Sequence, residues 1–110
     1  MNNSKLVAST MTFRTFTLEK ALEKLAEAGF DKVELCTAGD WVPHFDIPNA
    51  TDKSIADCAG TFKKTGMKAV SVNISGDYTV NQMENGYALA KELGAAVVTY
   101  CCGNPKPDVE

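Results

Sequence analysis

The residues of this chain whose types suit chemistry are Glu34, Trp41, His44 and Asn73, with a supporting row of Ser71, Ser75, Thr99, Cys36 and Cys101. Glu34 lies near the end of an alternating run and reads two ways. It either accepts hydrogen bonds from a polar ligand or pairs with Lys32 or another interior cation. His44 is the single histidine. Imidazole would suit a ligand hydroxyl, a phosphate or a lone metal bond, and the plainer expectation is an exposed loop histidine. Trp41 and Phe45 offer an apolar wall or a pin for their loop. Asn73 is the amide best placed to touch a ligand, whereas Ser71 and Thr99 suit interior packing. Adjacent cysteines at 101 and 102 would face opposite ways on a strand. The four cysteines lack paired CxxC spacing, so they read as free, mostly buried thiols rather than a zinc knuckle or disulfide framework.

The elements that must position these groups follow from periodicity. Leu6–Met11 reads as a short strand and Thr12–Phe16 as a loop. Thr17 caps a helix with apolar residues at Leu18, Ala21, Leu22, Leu25, Ala26 and Ala28, and Gly29 ends it. Lys32–Thr37 is the second strand. A long aromatic loop runs from Ala38 to Asp52. Ile55, Cys58, Ala59 and Phe62 mark the second helix, closed by Gly66. Ala69–Ser75 is the third strand, Val80–Leu93 the third helix and Ala96–Cys101 the fourth strand. The phrases around Gly29, Gly66 and Gly94 repeat one plan of helix end, glycine, turn and strand, the grammar of successive βαβ units. Parallel strands with right-handed crossovers are expected.

The strands alternate rather than running apolar throughout. Val33 and Leu35 oppose Lys32, Glu34 and Cys36; Val70, Val72 and Ile74 oppose Ser71, Asn73 and Ser75; Val98 and Tyr100 oppose Thr99 and Cys101. One apolar face can carry all three helices, while the other is polar and small. A doubly wound sheet with helices on both faces would bury Glu34 and Asn73 beneath a helix. The pattern therefore predicts an α/β fold of parallel (β/α) units amounting to about half of a TIM barrel, residues 1–110 forming one partial domain. Gly103–Glu110 reads as a loop and the start of another helix. The uncovered edges predict a homodimer that completes eight strands.

The composition is 45% hydrophobic and 23% charged, with 11 Lys+Arg against 14 Asp+Glu. No basic run marks a nucleic-acid partner and no apolar run is long enough to span a membrane. The first residues lack a signal-peptide core, so a cytoplasmic location is expected.

The segments Leu6–Met11, Leu25–Leu35 and Lys91–Ala95 before a Val-Val strand resemble the N-terminal half of the xylose isomerase-like TIM barrels, the sugar phosphate isomerases/epimerases. The most specific piece is Gly29-Phe30-Asp31-Lys32-Val33-Glu34-Leu35. The resemblance implies isomerisation or epimerisation of a sugar or sugar phosphate, with Glu34, Trp41, His44 and Asn73 as substrate contacts. It also implies a divalent metal (Mn, Zn or Mg), held in that family by Glu, Asp, His and Glu on strands of the second half. None of these ligands maps onto this chain, so no metal is expected to bind it alone. The other function class is a non-catalytic small-molecule-binding or oligomerisation module. Gly76-Asp77 and Gly103-Asn104 follow strands and suit plain turns, or phosphate-binding backbone.

Overall fold

The computed structural model describes residues 5–101. The expectations for Cys102, the Gly103-Asn104 turn and the final loop lie outside the described residues. Inside them the chain runs β1 (Ala8–Ser9), a 3-10 turn (Thr10–Phe13), α1 (Leu18–Glu27), β2 (Lys32–Thr37), α2 (Asp52–Thr65), β3 (Lys68–Ser75), α3 (Val80–Leu93) and β4 (Val97–Cys101). The four strands form one parallel sheet in the order β1-β2-β3-β4. The α/β reading is thus observed, with strand and helix alternating throughout.

Local chemistry accounts for the helix ends. The Thr17 hydroxyl accepts from the Lys20 N–H and begins α1. At its other end Gly29 N–H donates to Ala26 O and Phe30 N–H to Leu25 O, a Schellman pairing that needs the positive φ of Gly29 (97°). Reciprocal capping boxes start α2, between Thr51 and Ser54, and α3, between Thr79 and Gln82.

The core lies on one face of the sheet. Leu22 and Leu25 of α1, Cys58 and Phe62 of α2, and Leu89 and Ala90 of α3 pack there against Val33, Leu35, Ala69, Val72 and Ile74. α1 packs beside α2 and α2 beside α3. The opposite face carries no helix among the described residues, so the doubly wound alternative is not adopted.

Two details differ from the periodic reading. β1 is shorter than Leu6–Met11. Its ladder stops because the Thr10 hydroxyl, not a backbone carbonyl, accepts the Cys36 N–H at 3.0 Å, and the Ser9 hydroxyl caps the 3-10 turn through the Met11 N–H. Val70 lies on the open face rather than in the core. The β2–β3 register passes from Val33–Ala69 to Glu34–Ser71, so Val70 is the extra residue of a bulge and Ala69 takes the buried position.

The long loop is anchored on the helix side. Val42 and Ile47 are fully buried, and the Ile47 carbonyl accepts from the Asn85 side chain of α3. Phe45 packs against the core. The loop is therefore held largely on the helix side, with Trp41 alone of its aromatic residues lining the open-face concavity among the described residues.

Candidate functional site on the open sheet face

The open face is layered along the strands. Toward the strand N-termini, Val7, Val70 and Val97 join Ser9, Glu34 and Ser71 around a concavity of about 510 Å³. Toward the C-termini, Glu34, Cys36, Asn73, Ser75 and Cys101 line a second concavity of about 360 Å³, with Trp41 at its rim. An apolar floor thus lies below a polar upper layer. Alternation places these strand side chains opposite the core, except Val70, which the bulge brings to the open face.

A hydrogen-bond network fixes the polar layer. The Ser71 hydroxyl donates to Glu34 Oε2 at 2.7 Å. The Ser75 hydroxyl donates to Asn73 Oδ1 at 3.0 Å, and Asn73 Nδ2 donates to Cys101 Sγ at 3.6 Å. Cys36 Sγ lies 4.0 Å from Asn73 Oδ1. The Thr37 hydroxyl donates to the Asn73 backbone carbonyl, locking β2 to β3 beside the site. Burial pushes the Cys36 thiol up, reinforced by Glu34 and Cys101, so it stays a neutral thiol at physiological pH. Among the described residues Glu34 is the one acidic residue lining the upper concavity.

Trp41 is presented by a closed turn. Trp41 N–H and Val42 N–H both donate to Ala38 O, Ala38 N–H donates back to Val42 O, and Gly39 supplies a φ of 54°. The indole is 55% exposed, open enough to meet a ligand. Arg14 stacks on it, with Cζ 4.8 Å from the ring centroid, and donates from Nη1 to the Trp41 carbonyl at 3.2 Å. Sequence reasoning missed Arg14, because nothing local links residues 27 positions apart.

His44 does not join Glu34, Trp41 and Asn73. It is 7% exposed, which overturns the expectation of an exposed loop histidine. Its Nδ1 lies 3.1 Å from the Thr10 hydroxyl and its Nε2 3.1 Å from the Phe16 carbonyl. A carbonyl only accepts, so Nε2 carries the proton. The Thr10 hydroxyl, already accepting from Cys36 N–H, donates to Nδ1. His44 is thus a neutral structural pin between the long loop and the end of β1. Burial lowers its pKa, against the opposing pull of the Phe16 and Phe13 carbonyls.

That shift has a signed consequence. Below the ordinary histidine value of about 6.5 the unfolded chain binds a proton that the folded chain resists. Stability should fall as pH drops from 7 toward the lowered folded value, and then level until carboxylates titrate. With one histidine in the chain, thermal melts at stepped pH should show this slope in the wild type and lose it in His44→Gln. An equal slope in the variant would contradict the neutral pin.

The metal implied by the resemblance does not fit the donors described. Among the described residues no three His, Cys, Asp or Glu side chains converge. Glu34, a raised-pKa thiol and an amide are a poor set for a hard divalent cation. No helix is long and apolar enough to cross a membrane among the described residues. Comparison of the sequence with protein-family models and with curated proteins finds no match.

Proposed function

We propose that the open face is the inner surface of a sugar-binding (β/α) barrel of the xylose isomerase-like kind, with this chain contributing substrate contacts to an isomerase or epimerase site. The observation that carries this reading is the grouping of Asn73, Ser75 and Cys101 toward the C-terminal ends of parallel strands, where such barrels bind their substrates, with Trp41 at the rim and Glu34 lining the same concavity from mid-strand. Glu34 accepts hydrogen bonds from sugar hydroxyls through the lone pairs that Ser71 leaves free. Asn73 has one more amide hydrogen to donate, and Trp41 covers the C–H face of a sugar ring. These residues bind and orient; no proton-transfer step is assigned to them. The reading places the protein in the cytoplasm, where Cys36, Cys58 and Cys101 remain thiols.

The same reading assigns a partner to the sheet. Among the described residues the outer edges of β1 and β4 have no strand beside them, and Val7 and Val97 are about half exposed on the open face. A second copy, pairing its β4 with β1 and its β1 with β4, closes eight parallel strands and covers that apolar floor. Light scattering over a concentration series should report a dimer; a monomer at every concentration would rule this assembly out.

A non-catalytic sugar-binding module is the second reading, favoured by the lining of the concavity, in which Glu34 is the single carboxylate among the described residues. Binding is common to both readings and is tested first. The single tryptophan gives a local signal. D-xylose or a ketohexose phosphate should change Trp41 emission saturably, and Glu34→Gln should weaken binding about tenfold, the worth of a hydrogen bond to a charged group. An emission change that survives Glu34→Gln at unaltered affinity, or no change with any sugar, would refute the site. Turnover by the wild type, followed by polarimetry, then separates enzyme from module.

A further inference from the structure

We propose that Arg14 is the positioning residue that holds Trp41 as a wall of the open-face site; the proposal rests on reading that face as a sugar site. Arg14 follows the 3-10 turn after β1, whereas Trp41 is carried by the turn after β2. The guanidinium bridges the two connections by gripping Trp41 twice, through its carbonyl at 3.2 Å and its ring at 4.8 Å. The carbonyl contact ties the guanidinium to the turn, and the ring contact restrains the indole.

Three observations make this more than a surface contact. First, Arg14 makes no ion pair among the described residues, so its charge is directed to the indole rather than neutralised by a carboxylate. Second, Trp41 is 55% exposed and has little packing of its own to fix χ1 and χ2, whereas its neighbour Val42 is fully buried. The turn is therefore fixed by Val42 and the indole by Arg14. Third, the ring so held lines the same concavity as Glu34, Asn73 and Cys101. An aromatic wall fixed before binding spares the ordering cost that a mobile indole would add to each binding event. A planar, delocalised cation is needed for this grip, since lysine offers neither the stack nor the forked donors.

The test uses the full chain with Arg14→Met, which keeps a long stem, and Arg14→Lys, which keeps the charge. Without sugar, the steady-state anisotropy of Trp41 should fall and its quenching by acrylamide should rise in Arg14→Met, with Arg14→Lys between it and the wild type. Melting temperatures should stay close to the wild-type value, because Val42, not Arg14, anchors the turn. D-xylose affinity should drop roughly twofold to fivefold in Arg14→Met, the weight of an exposed cation–π contact. Unchanged anisotropy and quenching in Arg14→Met would overturn the proposal whether or not any sugar binds. A wild type that ignores D-xylose while its anisotropy responds to Arg14→Met would leave the grip standing and remove the sugar reading instead.

Discussion

Leu35→Ala should cost about 2–5 kcal/mol, measured as a shift in urea midpoint, the usual range for truncating a buried leucine. Leu35 is fully buried at the centre of β2, facing the helices. Such a loss is a large part of the roughly 5–15 kcal/mol that holds a domain together. The contrast on the other face is as informative. Thr99 is exposed on β4 and faces the open concavity side, so Thr99→Ser should change stability by no more than about 0.5 kcal/mol. Comparable losses at both positions would mean that the open face is packed, and the site reading would fail with it.

The second large effect is at Gly86. A Cβ there would stand 2.1 Å from Ile74 Cδ1 and 2.8 Å from the Tyr100 hydroxyl. Neither neighbour can yield easily. Ile74 is fully buried, and Tyr100 donates to the Met83 carbonyl while its ring meets Tyr87 edge-on. Overpacking of this kind costs about 1–3 kcal/mol. Helix propensity returns about 1 kcal/mol, so Gly86→Ala should be a net loss, by displacing α3 from β3 and β4. Gly60 in α2 is the internal control, with nothing within 4 Å of its added Cβ. Gly60→Ala should gain about 0.5–1 kcal/mol from the same propensity. Opposite signs for two mid-helix glycines, read by chemical denaturation, would support the packing of α3. A gain at both would contradict it.

Much of this architecture is legible in the chain, for identifiable reasons. Val80–Leu93 and Lys32–Thr37 coincide with α3 and β2 because both carry their own boundaries, a threonine cap and glycine for the helix and clean alternation for the strand. What escaped depends on distant partners. Ala69 and Val70 are both apolar, so alternation could not tell which enters the core. The bulge is set by the register with β2, thirty-odd residues earlier. The early end of β1 follows from the Thr10 side chain meeting Cys36, 26 positions away. His44 reads as exposed because it lies in a long loop, and its burial depends on Thr10 and Phe16. Within the site, Asn73 and Trp41 were readable as strand and loop residues, whereas Glu34, expected near the strand end, lies mid-strand level with Ser71 and Val97. Their company of Ser9, Met11 and Arg14 comes from β1 and its connection, whose path the pattern did not resolve.

The most direct measurement is an amide and indole NMR titration of the intact chain with D-xylose and with a ketohexose phosphate. Shifts should gather at Ser9, Glu34, Asn73, Ser75, Cys101 and the Trp41 indole, with α1 and α2 silent. No shifts at saturating sugar, or shifts confined to Phe45, Asn49 and Tyr78, which line a different concavity, would contradict the open face as the binding site.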